Sequence, residues 1–223
     1  MPRGDHATRC LAFLLLATVA LRGQQPPAPK AVDGFVPRGW EIEQRYSADF
    51  NGDGRRDALL LVRRASQGDI PSRMLRVAFA TPAGGYTLAE SNARLIPLDS
   101  SGQLEDPMAD GELVMRPAGF DLTIGMLPTI GSYRQATIRY RFRFDTRCFR
   151  LVAFDRLETD RATLDTTDVR VSLMTGQVIR TTGNAESGTA SPAPREQLRL
   201  NQRYCLADLG NGWTFDPTAA IGR

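Results

Sequence analysis

The feature that most restricts the fold of this chain is a two-residue alternation over residues 137–144. Ile138, Tyr140, Phe142 and Phe144 occupy every second position, and arginines fill the positions between them. Successive side chains of a β-strand point to opposite faces, so the pattern predicts a strand with one apolar and one solvated face. Such a strand is stable only within a sheet whose apolar face is covered.

Other parts of the sequence also favour strands. Pairs of short apolar segments flank turn sequences that contain glycine, and each pair predicts an antiparallel hairpin: residues 75–80 with 86–90, 113–115 with 120–124, and 169–173 with 177–181. Residues 58–62 form a continuous apolar run, which is consistent with a buried strand. A short amphipathic helix fits only residues 195–204. The predicted fold is mainly β, a single domain of antiparallel hairpins.

The strand that follows the alternating one has two possible registers. One register turns Phe149 and Leu151 toward the core, and the other turns Cys148, Val152 and Phe154 there. The sequence leaves both open.

The N-terminal residues are typical of a secretory signal peptide. Arg3 and Arg9 precede an apolar run over residues 11–21, and a proline-rich segment follows. The run is shorter than the roughly 20 residues that a membrane-spanning helix needs. We expect cleavage near residue 23, the alternative being a retained anchor. The protein would then be exported, periplasmic or extracellular, with no membrane anchor.

The domain boundaries follow from composition. We expect residues 1–23 to be the signal peptide, 24–34 a flexible leader and 35–223 the β domain. Within that domain, residues 182–195 are rich in Ser, Thr, Gly, Ala and Pro. This composition predicts a mobile surface loop.

Composition excludes several functions. The formal net charge is only +3, and Arg3, Arg9 and Arg22 lie in the predicted signal peptide, so charge gives no reason to expect a nucleic-acid partner. The single histidine, His6, lies in the same segment. The mature chain therefore cannot build Ser-His-Asp catalysis or a histidine zinc site. The only lysine is Lys30 in the leader, so enzyme chemistry would have to rest on carboxylates or tyrosine.

Two cysteines, Cys148 and Cys205, remain after export. An oxidising compartment favours a disulfide between them. Two buried, unpaired thiols are the alternative.

One sequence pattern carries specific chemistry. Residues 49–57 fit D-x-N-x-D-G-x-x-D, and calcium prefers six to eight oxygen ligands. The ligands would be the side chains of Asp49, Asn51, Asp53 and Asp57 and the carbonyl of Arg55. Leu60 stands where an EF-hand has its glutamate, so this is not an EF-hand. A metal-free turn is the alternative, because Asp, Asn and Gly favour tight turns.

The loop followed at once by the apolar residues 58–62 resembles the calcium loop of FG-GAP and VCBS-type repeats in integrin-like β-propellers. In that family the loop connects two strands of a blade and its aspartates and asparagine bind calcium. This chain has one such loop in 223 residues, so we do not expect a complete propeller. The chain also resembles secreted bacterial proteins with a single copy of the loop, a Pro-x-Gly-Trp start (here Pro37–Trp40) and a late hairpin like residues 140–144. That resemblance implies no activity.

Two further groups of charged residues could carry function. Arg139, Arg141 and Arg143 could bind an anion, although we expect a solvated sheet face. A glycosidase-like pair of carboxylates could come from one acidic cluster, Glu105, Asp106, Asp110 and Glu112. A second acidic cluster, Asp155, Glu158, Asp160, Asp165 and Asp168, is expected to be a charged loop, because it lacks the glycine-bend spacing of a cation site.

The sequence thus predicts an exported, non-enzymatic calcium-binding β module with an unknown protein or glycan partner. The alternative is a carboxylate-based hydrolase acting on cell-wall or other polysaccharide. Two facing carboxylates about 5 to 9 Å apart in a pocket would favour the hydrolase.

Overall fold

The structure is a computed structural model that describes residues 31–65, 70–99 and 101–219. The predicted signal peptide and residues 24–30 of the leader lie outside the described residues. Within them the chain forms twelve β-strands, two short 3-10 helices (Val32–Phe35 and Leu206–Asp208) and no α-helix. The mainly β prediction is confirmed. No helix in the described ranges is long and apolar enough to span a membrane.

The first four strands form a small antiparallel sheet in chain order: β1 (Glu41–Ala48), β2 (Asp57–Arg64), β3 (Ser72–Ala80) and β4 (Tyr86–Asn92). The predicted strand at 58–62 and the predicted hairpin of 75–80 with 86–90 are confirmed. In β2, Leu59 and Leu61 enter the main core, while Leu60 and Val62 enter a second apolar cluster. The continuous apolar run therefore reflects a strand that is covered on both faces.

The remaining strands form a larger antiparallel sheet. In chain order they are β5 (Glu112–Arg116), β6 (Gly119–Met126), β7 (Arg134–Phe144), β8 (Phe149–Asp160), β9 (Asp165–Ser172), β10 (Gln177–Asn184), β11 (Thr189–Pro192) and β12 (Glu196–Gln197). Neighbours along the chain pair from β5 to β11, and β12 also pairs with β10. The two sheets are built from hairpins as predicted, and the described residues form no closed barrel or propeller.

The predicted alternation of apolar residues and arginines over residues 137–144 is present in β7. Ile138, Tyr140 and Phe142 are buried, and the arginines between them are exposed. In the next strand, both proposed registers hold in part. Arg141 pairs with Ala153 and Phe142 with Leu151, which leaves Val152 as a β-bulge. The extra residue turns Phe149 and Leu151 inward before the bulge and Phe154 inward after it.

Aromatic side chains join the two sheets. Phe79 of β3 lies 4.9 Å from Phe144 of β7 and 6.1 Å from Phe149 of β8, measured between ring centroids. Tyr140 is fully buried, and its hydroxyl donates a hydrogen bond to the Gly212 carbonyl. The core is one continuous layer between the sheets.

The C-terminal segment is held against both sheets. A disulfide joins Cys148 to Cys205, as predicted, with a Cα separation of 5.7 Å. Asn92, at the end of β4, donates to the carbonyls of Leu206 and Leu209 at 2.6 and 2.8 Å. The segment after Cys205 therefore closes one side of the core.

Three local expectations differ from the structure. Val32, within the predicted leader, is fully buried against β2, because the outer face of that strand is apolar and needs a cover. Residues 182–195 include the end of β10 and all of β11, so much of the predicted loop is an exposed hairpin. Residues 195–204 contain the short strand β12 and no helix, because β10 offers an edge for pairing.

Candidate functional site

The Asp49–Asp57 loop connects β1 to β2 at one end of the small sheet. Gly52 and Gly54 have φ values of +78° and +80°, a left-handed conformation that glycine adopts without strain. The Asp49 carboxylate accepts hydrogen bonds from the backbone N–H groups of Gly52, Asp53 and Gly54, at 2.8 to 3.1 Å. Asp49 thus organises the turn.

Asp53 lies at the tip of the loop and is bound by its neighbours. Its carboxylate accepts from the Arg55 backbone N–H and the Asn51 amide, both at 2.9 Å, and from the Arg55 guanidinium. Loss of hydration would raise the pKa of Asp53, but these hydrogen bonds and the Arg55 charge lower it. The Arg55 side chain is therefore an internal counter-ion for this carboxylate.

Asp57 is fully buried and connects the loop to the sheet. One carboxylate oxygen accepts from the Phe50 N–H and the other from the Ala80 N–H, each at 2.9 Å. No arginine in the described residues forms an ion pair with it. A buried carboxylate without a cation is uncommon, because buried charges are normally paired or bound to metal.

Phe50 anchors the loop in the main core. Its ring is 1% exposed and lies edge-on to Phe149, with 5.5 Å between centroids. The loop backbone is therefore fixed between its apolar residue and its buried carboxylate, and its tip is exposed.

The predicted ligands can be compared with the needs of calcium. The donor set of carboxylate, amide and carbonyl oxygens is the chemistry that calcium prefers. In the described residues, however, no three acidic, histidine or cysteine side chains converge closely enough to hold a metal. Asp49 and Asp57 face backbone N–H groups, and Asp53 faces Arg55. The loop therefore carries the donor types of a calcium site, but its acidic side chains bind groups of the protein and do not converge on one point.

The arginines of β7 are largely paired. Arg141 binds the buried Asp121 through two hydrogen bonds of 2.9 and 3.1 Å, and Arg116 binds the same carboxylate at 3.0 Å. Arg139 lies 3.9 Å from Asp155 of β8. Two of the three arginines thus have acidic partners within the sheet, and Arg143 has none among the described residues.

One member of the first acidic cluster, Asp106, is neutralised by an arginine. Asp106 binds Arg73, which also binds Glu43 at 2.7 Å, and the Arg73 side chain is 5% exposed. Burial alone would lower the pKa of Arg73, but the hydrogen bonds with Glu43 and Asp106 raise it. This triad links β1, β3 and the segment before β5, and it was not predicted.

The second acidic cluster is also mostly paired. Asp155, Glu158 and Asp168 form ion pairs with arginines, while Asp160 and Asp165 accept hydrogen bonds in the turn from β8 to β9. Glu158 lines a cavity of about 300 Å³ together with Asp216. Asp216 was not singled out in the sequence, because nothing local distinguishes it from an ordinary loop aspartate.

Burial raises the pKa of two other carboxyl groups, Glu90 and Asp155. Glu90, on β4, accepts hydrogen bonds from the backbone N–H groups of Phe149 and Ala207. It therefore links the small sheet to β8 and to the C-terminal segment. Both groups lie outside the cavity that contains Glu158 and Asp216.

Comparison with protein-family models, with curated proteins and with solved structures finds no match to this chain.

Proposed function

We propose that this chain is an exported, non-enzymatic β module whose Asp49–Asp57 loop binds calcium and so stabilises the small sheet. The observation that carries the proposal is Asp57. Its carboxylate is fully buried, has no arginine partner in the described residues, and belongs to a loop with two further aspartates. A divalent cation would offset this concentration of negative charge.

Residues on the loop would hold the ion through oxygen atoms. These are the side chains of Asp49, Asn51, Asp53 and Asp57 and the Arg55 carbonyl. Calcium would supply positive charge in place of the Arg55 guanidinium on Asp53. Phe50 and Asp57 would transmit the stabilisation, because they join the loop to the main core and to β3.

Export is the second part of the proposal. It is supported by the N-terminal signal pattern and by the Cys148–Cys205 disulfide, since disulfides persist in oxidising compartments. The four-stranded small sheet, with the loop between its first two strands, has the strand number of one propeller blade and agrees with the FG-GAP and VCBS-type resemblance. The partner is proposed to be a protein or a glycan.

Thermal unfolding tests calcium binding. With a dissociation constant on the order of 10⁻⁴ to 10⁻³ M, calcium at ten times that value adds about 1.4 kcal/mol to the free energy of unfolding. We expect a higher melting temperature in calcium than in EDTA. Asp53→Ala should abolish the difference.

A matched control is available in the loop after β4. Asp99 also accepts several backbone hydrogen bonds, from Ser101, Gln103 and Leu104, but no other acidic residue lies within five positions of it. Asp99→Ala should lower stability equally with and without calcium. Equal melting temperatures of the unmodified protein in EDTA and in several millimolar calcium would reject the site and leave a metal-free turn.

One observation favours the second candidate function, the hydrolase. Glu158 and Asp216 line the same cavity, on elements far apart in sequence, which is how catalytic carboxylates are usually supplied. Glu158 is paired with Arg156 at 2.6 Å, and Asp216 accepts two hydrogen bonds from Thr218. Release of reducing sugar from a polysaccharide panel that is lost in both Glu158→Gln and Asp216→Asn would establish the hydrolase.

A further inference from the structure

A second cavity lies at the end of the small sheet opposite the Asp49–Asp57 loop. It has a volume of about 450 Å³ and is formed where β1 begins and where β2 and β4 end. Its walls include Trp40, Arg64 and Arg94, and an apolar side is formed by Ile96, Pro97 and Leu98. The volume is within the range of small-molecule sites, which are mostly apolar with a few placed polar groups.

Among the described residues, the charged groups of this cavity are arginines, and two of them have no acidic partner there. The Arg64 guanidinium lies 5.2 Å from the centroid of the Trp40 ring and forms no ion pair with any described residue. The Arg94 guanidinium donates two long hydrogen bonds, 3.4 and 3.3 Å, to the Ala207 and Asp208 carbonyls. None of the described residues that line the cavity is acidic.

A third arginine in the cavity wall differs from Arg64 and Arg94 because it has acidic partners. Arg73 also lines the cavity, but Glu43 and Asp106 neutralise it. Arg64 and Arg94 have no such partners among the described residues. Their guanidinium groups therefore retain N–H donors that match the two oxygens of a carboxylate.

The apolar wall defines the rest of the ligand. Leu98 is 41% exposed, although large aliphatic side chains are usually covered. Trp40 offers an aromatic surface on the other side, with Arg64 already stacked against it. A ligand with an apolar or aromatic body would cover this wall while its negative charge meets the two arginines.

We propose that this cavity binds a small organic anion, a carboxylate carried on an aromatic or aliphatic body. The inference goes beyond calcium binding and does not depend on it, because the cavity and the loop share no residue. It gives the Pro37–Trp40 segment a function: the turn there places Trp40 at the mouth of the cavity, where β1 begins.

Calorimetric titration with three compounds tests the charge and the apolar body separately. The mature protein is titrated with 4-phenylbutyrate, with the uncharged 4-phenylbutanamide, and with butyrate, which keeps the charge but lacks the ring. We expect 4-phenylbutyrate to bind at least tenfold more tightly than either analogue. Equal binding of the amide, or no binding of 4-phenylbutyrate at millimolar concentration, would overturn the proposal.

Variants locate the site. Arg64→Gln and Arg94→Gln should each weaken 4-phenylbutyrate binding roughly tenfold, the equivalent of one charge-assisted hydrogen bond. Arg63→Gln is the matched control, because Arg63 neighbours Arg64 but pairs with the exposed Glu41. Binding should survive in that variant. An Arg64→Gln protein that melts normally and binds with unchanged affinity would contradict the assignment.

Two additional arms complete the test. N-acetylglycylphenylalanine presents the same carboxylate at a peptide end, so tighter binding of the peptide assigns a chain terminus and tighter binding of 4-phenylbutyrate assigns a free acid. Each titration is repeated in EDTA and in calcium. Binding that is equal in both would support the cavity whatever happens at the loop, and binding lost with the loop variant Asp53→Ala would contradict its independence.

Discussion

The two sheets of this protein are covered in different ways. Strand β2 of the small sheet is buried on both faces, by the main core and by a second cluster that includes Val32. Strand β7 of the large sheet buries one face and exposes arginines on the other. Hydrophobic burial therefore acts on both sides of the small sheet, whereas the second face of the large sheet relies on ion pairs.

This contrast predicts how substitutions will act in each sheet. Apolar burial contributes more per residue than exposed ion pairs, whose typical value is below about 1 kcal/mol. Substitutions of apolar residues on the outer face of the small sheet should therefore lower the free energy of unfolding strongly. Substitutions on the outer face of the large sheet should lower it little, except where a charged group is itself buried.

The largest effect is expected for Leu60→Ala on the outer face of β2. Leu60 is fully buried, so truncation should lower the free energy of unfolding by roughly 2 to 5 kcal/mol. The matched control is Leu157→Ala in β8, because Leu157 is 43% exposed and pairs with Thr137. It should cost less than about 1 kcal/mol. Denaturant unfolding measures both, and equal costs would show that the two outer faces do not differ.

Loss of the disulfide should have the next largest effect. Cys148 and Cys205 are separated by 57 positions and hold the C-terminal segment beside β8. Replacing both with serine should cost roughly 2 to 4 kcal/mol, because the unfolded chain gains conformational freedom. Chemical unfolding with and without the bond measures this cost. An unchanged midpoint would mean that Asn92 and Glu90 alone are enough to hold the segment.

Most strands of both sheets were accessible from the sequence because their signals are local, although β1, β11 and β12 were not predicted. The alternation in β7 and the apolar run in β2 follow directly from which faces are covered. The hairpin turns were marked by glycine at positions such as Gly84 and Gly176, which have φ values of +82° and +77°. The hairpins were thus predicted individually, while the strand order and the division into two sheets were not.

Features that depend on contacts distant in sequence were not accessible. The bulge at Val152 is set by how β7 and β8 fit together, so neither simple register was complete. The apolar run in β2 does not specify which segment covers its outer face, so the docking of Val32 was not predicted. The Arg73 triad and the cavity at Trp40 likewise assemble residues from separate segments. The ligands proposed for the loop at 49–57, in contrast, are close together in the sequence, so their pattern could be recognised without knowledge of the fold.

Acidic pH should change the contributions of Asp121, in the large sheet, and Glu90, in the small sheet, in opposite directions. Burial alone would raise the pKa of Asp121, but Arg141 and Arg116 lower it. Its contribution is therefore present above the unfolded pKa, near 3.8, and is lost as the pH falls through the folded value. Asp121→Asn should cost about 1 to 3 kcal/mol at pH 7, and the cost should shrink as the pH falls from 3.8 toward the folded pKa.

The contribution of Glu90 to stability depends on pH with the opposite sign to that of Asp121. Burial raises its pKa, so the folded protein takes up a proton before the unfolded chain does. As the pH falls from the folded pKa to the unfolded value of 4.5, stability should rise. Unfolding midpoints across pH measure both groups, and Glu90→Gln should flatten the profile above pH 4.5 only. A profile that falls steadily from neutral pH in both proteins would contradict this assignment.

The smallest effect is expected for Arg143→Gln on the outer face of β7. Arg141, two residues earlier, binds the buried Asp121, whereas Arg143 has no ion pair in the described residues and lies directly opposite Arg150 of β8. Like charges at directly opposed positions repel, which favours removal of the charge. Substitutions of exposed residues usually change stability by less than about 0.5 kcal/mol in either direction, and we expect a change within that range. Arg141→Gln should cost more, because it withdraws one of two partners from a buried carboxylate. The triple Gln variant of Arg139, Arg141 and Arg143 has three fewer positive charges, so its retention on a polyanion column should fall only as far as that of a control variant in which three other exposed arginines, Arg38, Arg147 and Arg199, are replaced. A folded triple variant that loses a specific polyanion interaction would turn this face from a set of internal ion pairs into a binding surface.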